Sequence, residues 1–204
     1  MSGLLLPTLI AALLTGCLPK TTDLEEQLDR EVRAMQIRTR SLEAQVASCA
    51  TDGATSTIYA ELIQVYAGTE VQVEREGGRA VVVIPTDVVF APSSDTLRTE
   101  AAMVVDLLGT ALQLHPELGV WVIGHSDDAL TPAAKKRYGD TWGFSVARAR
   151  SFADALTAGF GVAPERMTIA GRGDLDPIAD NDTPQGRAQN RRLVVVIGTA
   201  EKYR

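Results

Sequence analysis

The strongest constraint on the fold is the run from Leu118 to Ile123, which contains no polar side chain. A strand that is apolar on both faces belongs in the interior of a sheet. This run leads into a polar turn that ends at Asp127, and a helix that begins at Thr141 carries Arg148 in its second turn. A carboxylate at a strand end can face a guanidinium on the next helix across a cleft. Asp127 and Arg148 are therefore predicted to form a site that binds a zwitterion rather than one that breaks a bond.

Strands and helices alternate through residues 70–204. Gly77-Gly78 separates two strand-like runs, which predicts a β-hairpin. A helix is predicted after a cap at Ser94 or Asp95, with an apolar stripe of helical period that His115-Pro116 ends. The other predicted strands are Val71–Glu74, Ala80–Ile84, Arg166–Ala170 and Leu193–Ile197. This order predicts an α/β (α+β) sandwich, in which one sheet is backed by helices.

The segment before this domain is predicted to be a helical spacer, because residues 23–49 contain no Gly or Pro. Spacings of four and three residues, typical of a coiled coil, separate Leu28, Val32, Met35, Thr39, Leu42, Val46 and Cys49. Residues 28–49 could thus join copies of the chain, or the helix could be amphipathic and lie on its own domain. Residues 51–57 are rich in small polar residues and predict a linker, followed by a short helix at 58–66 within the connecting segment 51–69.

The N-terminus carries the pattern of a processed segment. Leu14-Thr15-Gly16-Cys17 follows an apolar run of 11 residues from Leu4, which is short for a membrane span of about 20 residues. The tetrapeptide resembles the lipobox of bacterial lipoproteins. That resemblance implies a signal peptide at 1–16, a lipidated Cys17 that starts the mature segment 17–50, and sorting to the outer membrane because Leu18 is not acidic. An uncleaved signal anchor is the alternative.

Composition and spacing argue against several other functions. A net charge of −6 and a pI near 5.0 are unsuited to nucleic acid. The two histidines provide no metal-ligand spacing, so no metal and no cofactor are expected. His125, Ser126 and Asp127 are the residue types of a hydrolase triad, but neighbours on a strand end cannot converge as a triad must. The chain is therefore not expected to be an enzyme.

Four motifs occur in order along the domain. They are Phe90-Ala91-Pro92-Ser93-Ser94, Gly124-His125-Ser126-Asp127, Phe144-Ser145-Val146-Ala147-Arg148-Ala149 and Gly186-Arg187-Ala188-Gln189-Asn190-Arg191-Arg192. Together they resemble the OmpA/MotB C-terminal-like family of peptidoglycan-binding domains, over residues from about Ala80 to Ile197. The resemblance implies a mixed sheet backed by helices. Ser126 stands where the family has threonine, and the family's asparagine ahead of the helix is missing, so Thr141 is expected to take that capping place.

The same resemblance implies that the ligand is the diaminopimelate of the peptidoglycan stem peptide. Asp127 would hold its ammonium, and Arg148 would hold its carboxylate through the planar guanidinium. Further ligand-binding residues carried over from the motifs are Phe90, Ser126, Thr141, Arg187, Asn190 and Arg191. For Arg191, the alternative is a structural role that holds the last strand in position.

The expected protein is thus lipid-anchored on the periplasmic face of the outer membrane and tethers that membrane to the wall. A wall-anchoring component of a larger envelope machine, stator-like or secretion-associated, is the alternative.

Overall fold

The structure is a computed structural model that describes residues 21–199. The signal peptide predicted at 1–16 and the lipidation site predicted at Cys17 lie outside these residues. The chain divides into two compact units between Ala47 and Ser48. A 45-residue helix, α1, spans Thr21–Val65, which confirms a helix at the N-terminal side of the domain. Among the helices that the structure describes, none combines the length and hydropathy needed to cross a membrane.

The linker predicted at residues 51–57 is wrong, because this segment is part of α1. Its hydroxyl groups bond within the helix: Ser56 Oγ donates to the Asp52 carbonyl at 2.9 Å, and Thr57 Oγ1 donates to the Gly53 carbonyl at 3.1 Å. Small polar residues can adopt this local arrangement when neighbouring residues hold the helix in place. The next turns of α1 hold it in place, because Ile58 and Leu62 are buried in the hydrophobic core of the domain, as is Tyr66 directly after the helix.

The sheet contains five strands: β1 (Gln72–Glu76), β2 (Arg79–Pro85), β3 (Leu118–His125), β4 (Met167–Gly173) and β5 (Arg192–Thr199). Their spatial order is β1-β2-β5-β3-β4. Only β3 and β4 pair in parallel among the described strands; the remaining pairs are antiparallel. The mixed sheet and the hairpin of β1 and β2 are confirmed. Gly77 and Gly78 form the hairpin turn with φ values of 53° and 79°, which favour glycine.

The remaining helices are α2 (Thr86–Val89), α3 (Ala101–Leu114), α4 (Pro132–Tyr138), α5 (Thr141–Phe160) and α6 (Pro184–Asn190), with a 3₁₀ turn at Pro164–Arg166. The cap predicted at Ser94 or Asp95 is wrong, since α3 begins only at Ala101. The intervening chain is instead folded back on itself. Phe90 and Leu97 form a β-bridge, and Arg98 N donates to the Val89 carbonyl at 2.9 Å.

One face of the sheet packs against the helices. Val120 and Val122 of β3 are fully buried there, together with Leu108 of α3 and Phe152 of α5. The position predicted for the run from Leu118 is confirmed, because β3 lies between β5 and β4. Its second face is only half-buried: Trp121 lies beneath the guanidinium of Arg79, 5.4 Å from the ring centroid. Helices thus cover one face, and the sheet presents its strand ends to the loops that form the site.

Candidate functional site

The site depends on a close approach of helix α5 to strands β3 and β4. A Cβ atom at Gly124 would lie 2.1 Å from the Ser145 carbonyl oxygen, and one at Gly171 would lie 2.5 Å from Ser145 Oγ. Ser145 Oγ donates to the Trp142 carbonyl at 2.8 Å and accepts from Gly173 N at 3.0 Å. Glycines therefore allow α5 to sit directly on the strand ends, which fixes the position of Arg148 one turn later.

The start of α5 is capped by Asp140 rather than by Thr141. The Asp140 carboxylate accepts from Gly143 N at 2.7 Å. The cap predicted at Thr141 is therefore wrong. Its hydroxyl donates instead to Asp174 Oδ1 at 2.6 Å, which ties the helix start to the loop after β4.

A pocket of about 330 Å³ opens beside these elements. Its charged lining consists of two carboxylates and three guanidinium groups, and its apolar wall includes two aromatic rings. These residues are Asp87, Asp127, Arg98, Arg148, Arg191, Phe90 and Phe144. Of the predicted ligand-binding residues, the pocket brings together Phe90, Asp127, Arg148 and Arg191. Such a mixture of opposite charges suits a small ligand that carries both signs.

Arg148 is the buried cation of the pocket, with 3% of its surface exposed. Its Nε donates to the Ser94 carbonyl at 2.9 Å and its Nη1 donates to Thr86 Oγ1 at 3.1 Å. The guanidinium carbon lies 4.1 Å from the centroid of the Phe144 ring and 5.2 Å from that of Phe90. Burial lowers the pKa of Arg148 to about 10, although the Asp87 carboxylate opposes this shift. Within residues 21–199, Arg148 forms no ion pair with a carboxylate, so its charge is only partly compensated.

Asp127 is the buried anion of the pocket, with 6% of its surface exposed. Its Oδ2 accepts from Arg191 Nη1 at 2.8 Å, and its Oδ1 accepts from Ala129 N at 3.3 Å. Arg191 also donates through Nη2 to Asp87 Oδ2 at 2.7 Å. Asp127 and Arg148 therefore line one pocket, but the direct ionic partner of Asp127 is Arg191. The carboxylates of Asp87 and Asp127 raise the pKa of Arg191, while burial opposes them.

The other predicted residues lie outside the pocket lining. Asn190 is buried, accepts from the amides of Ile178 and Ala179, and donates to the Ala179 carbonyl and to Asn181 Oδ1. Arg187 Nη1 donates to the Asn181 carbonyl at 2.6 Å. Both side chains thus order the loop between β4 and α6.

The motif at the end of β3 also contains two buried polar atoms without a partner. Ser126 Oγ and His125 Nδ1 form no hydrogen bond within the part of the chain that the structure describes. Burial lowers the pKa of His125 to about 4, and the positive charge of Arg192 acts in the same direction. The imidazole is therefore neutral at pH 7.

Asp87 and Arg98 line the pocket but were not predicted from the sequence. Asp87 lies on the short helix α2, directly beyond the end of β2, and Arg98 lies in the turn before α3. Arg98 Nη1 donates to the Asp87 carbonyl at 3.0 Å. Asp87 could have been found from its position two residues after Pro85, because side chains at strand ends gather at the loop edge of a sheet.

Comparison with known proteins identifies the family of this domain. Residues 89–191, about half of the chain, match the OmpA family. This chain belongs to the OmpA family. A relative named "Probable lipoprotein YiaD", from Escherichia coli (strain K12), is 35% identical over 130 residues, which cover 64% of this chain and 56% of that protein. The chain spans about half the length of the curated relatives it matches.

Two solved structures share the fold. A MotB-like protein of Desulfovibrio vulgaris has a TM-score of 0.67 and 26% identity, over 76% of this chain and 98% of that one. The cell wall anchor of the T6SS from Pseudomonas aeruginosa has a TM-score of 0.60 and 36% identity, over 71% of this chain and 96% of that one. The predicted OmpA/MotB-like fold is thereby confirmed.

Proposed function

We propose that the pocket binds the diaminopimelate side chain of peptidoglycan stem peptides, and that the protein is a lipoprotein that tethers the outer membrane to the wall. The observation that carries this proposal is the presence of Asp127 and Arg148, two buried groups of opposite charge, in one open pocket. Diaminopimelate presents an ammonium and a carboxylate on one carbon, so each charge of the ligand has a counterpart in the protein. The proposal requires no catalytic step.

Arg148 would hold the ligand carboxylate. Its guanidinium lacks an ionic partner among the described residues, and an arginine donates well to a carboxylate because the two groups are planar. A hydrogen bond to a charged group contributes roughly 1.5–3 kcal/mol. The buried cation therefore favours a ligand that supplies a negative charge.

Asp127 would hold the ligand ammonium. Arg191 Nη1 contacts Asp127 Oδ2 in the structure, and the ammonium would compete for that oxygen. Arg191 retains Asp87 as a second carboxylate, with Nη2 2.7 Å from Oδ2. This second contact lowers the cost of releasing Asp127, because the displaced guanidinium does not become an unpaired charge.

Anchoring to the outer membrane rests on the sequence of the N-terminus. The lipobox-like Leu14-Thr15-Gly16-Cys17 supports lipidation at Cys17, and the E. coli relative is itself named a lipoprotein. Mass spectrometry of the purified mature protein tests this part. We expect an N-terminal Cys17 that carries acyl chains, and an N-terminus at Met1 without acylation would contradict it.

A second candidate function is the anchoring of a larger envelope machine to the wall. It is supported by the similarity to the cell wall anchor of the T6SS from Pseudomonas aeruginosa and to a MotB-like protein. Both candidates use the same pocket. Affinity purification after crosslinking in cells distinguishes them, since only the second predicts a stable set of machine proteins.

Binding to purified peptidoglycan sacculi tests the site itself. Asp127→Asn removes the negative charge but keeps an oxygen that can accept from Ala129 N. We expect this variant to lose about 10–100-fold in affinity, in line with one charged hydrogen bond. Asp128→Asn is the matched control, because Asp128 is the exposed neighbour and should bind like the wild type. Equal binding by both variants would refute the assignment.

A further inference from the structure

Helix α1 carries an exposed apolar stripe that the proposed function does not use. Its members recur at spacings of four and three residues along one side of the helix. They are Leu28, Val32, Met35, Thr39, Leu42 and Val46. All six are exposed, and the exposed fraction of the five apolar members ranges from 43% for Val32 to 70% for Val46. Apolar side chains in such a repeat stabilise a coiled coil when a second helix covers them.

The residue types of the stripe indicate how many helices the coiled coil contains. Val32, Thr39 and Val46 occupy one set of alternate positions, and all three are branched at Cβ. Leucine or methionine occupies the other set, at Leu28 and Leu42 and at residue 35. In parallel coiled coils, β-branched residues at position a with leucine at position d favour two strands. We propose that residues 28–46 form a parallel, two-stranded coiled coil with a second copy of this chain.

The charges that flank the stripe are complementary in this arrangement. With Val32 at position a, Arg38 occupies position g and Glu43 occupies the following position e. In a parallel dimer, a g residue of one helix faces the e residue of the next heptad in its partner, so such pairs set partner choice and orientation. Two-fold symmetry then makes two pairs of opposite charge, each between Arg38 of one copy and Glu43 of the other.

Thr39, the polar residue at the middle of the stripe, does not oppose burial. Its Oγ1 donates to the Met35 carbonyl within the same helix at 3.0 Å. A polar group that is already hydrogen-bonded costs much less to bury than an unpaired one. The hydroxyl can therefore enter the dimer contact while its methyl group packs.

Cysteine crosslinking of the full chain, purified in nonionic detergent with an excess of micelles, tests the geometry. In a Cys49→Ala background, Leu42→Cys places a thiol at position d, whereas Ile37→Cys places one at the outward position f. Ile37 is 70% exposed and provides the matched control. Under mild oxidation by copper phenanthroline and oxygen, we expect Leu42→Cys to form the disulfide-linked dimer at least about tenfold faster. Equal rates, or no dimer from Leu42→Cys, would overturn the proposal.

Charge exchange provides a second test that does not depend on thiols. Sedimentation equilibrium should give a dimer for the wild type, and Arg38→Glu or Glu43→Arg alone should raise its dissociation constant by about tenfold, because like charges then face each other. The double variant should return to within about threefold of the wild type. A monomeric wild type would overturn the proposal, and a lack of rescue would exclude the parallel pairing. Neither result depends on the pocket, so wall binding can succeed or fail independently.

Discussion

Replacement of Arg148 by methionine should remove the selectivity of the pocket for a ligand carboxylate. Methionine is flexible and apolar, so it removes the charge without adding volume, although it is shorter than arginine and loses the guanidinium contact with Phe144. Arg148 is 3% exposed, and its guanidinium donates only to the Ser94 carbonyl and Thr86 Oγ1 among the described residues. A ligand carboxylate would add a charged hydrogen bond, worth roughly 1.5–3 kcal/mol.

The magnitude follows from the loss of this one hydrogen bond. A loss of 1.5–3 kcal/mol corresponds to about a 10–100-fold increase in the dissociation constant. The wild type should therefore bind a muramyl tripeptide with free diaminopimelate about 10–100-fold more tightly than the same peptide with that carboxylate amidated. In Arg148→Met this ratio should fall to near one, because no cation remains to distinguish an acid from an amide.

Isothermal titration calorimetry with both peptides measures the ratio directly. Arg150→Met is the control: Arg150 is exposed on the same helix and pairs with Asp154 at 2.7 Å, so its loss should leave the ratio unchanged. Loss of the hydrogen bonds to Ser94 and Thr86 lowers the stability of the variant, whereas removal of a buried charge raises it. Thermal unfolding must therefore confirm that the variant is folded. A folded Arg148→Met that still prefers the acid would refute the role of this guanidinium.

Three further predictions concern packing, pH and the pocket network. Gly124→Ala should lower the free energy of unfolding by at least about 2 kcal/mol in urea titrations, because the added Cβ would clash with the backbone of Ser145. Gly159→Ala is the control: no atom lies within 4 Å of its Cβ, so this change should be neutral or stabilising. Burial lowers the pKa of His125 to about 4, below the 6.5 of an unfolded chain. Acidification from pH 7 to pH 4 should therefore lower the free energy of unfolding by about 3 kcal/mol through this residue, and His125→Asn should lack this part of the loss in the same titrations. In Asp87→Asn, Asp127 would be the remaining carboxylate partner of Arg191, so a ligand ammonium that takes Asp127 would leave this guanidinium unpaired. Peptide binding in calorimetry should therefore weaken about threefold, and tighter binding would contradict this.

Local chemistry was sufficient to predict several elements. Gly77-Gly78 between two β-branched runs specified the hairpin, and the apolar run at Leu118 specified an interior strand. The short helix α6 was missed although Thr183 caps it and Pro184 occupies its first turn, which together are a recognisable start signal. Seven residues are too few for a periodic apolar pattern, so only the cap could have identified it.

Other features depended on contacts that no local pattern contains. Residues 51–57 favour a break by composition, yet the burial of Ile58 and Leu62 holds them in α1. The pairing of Asp127 with Arg191 joins residues 64 positions apart. It exists because β5 lies between β2 and β3, which brings the start of the last strand beside the end of β3.

The sequence by itself determined the order of the strands and of the longer helices, and the placement of an acid and an arginine at adjoining element ends. Periodicity and turn chemistry act between near neighbours, so they can be recognised in the chain alone. Only the tertiary structure decided which charges meet, because the insertion of β5 into the sheet brings Arg191 to Asp127 and Asp87. The same packing buries Arg148 on α5 without a carboxylate partner among the described residues, and this leaves its charge available to a ligand.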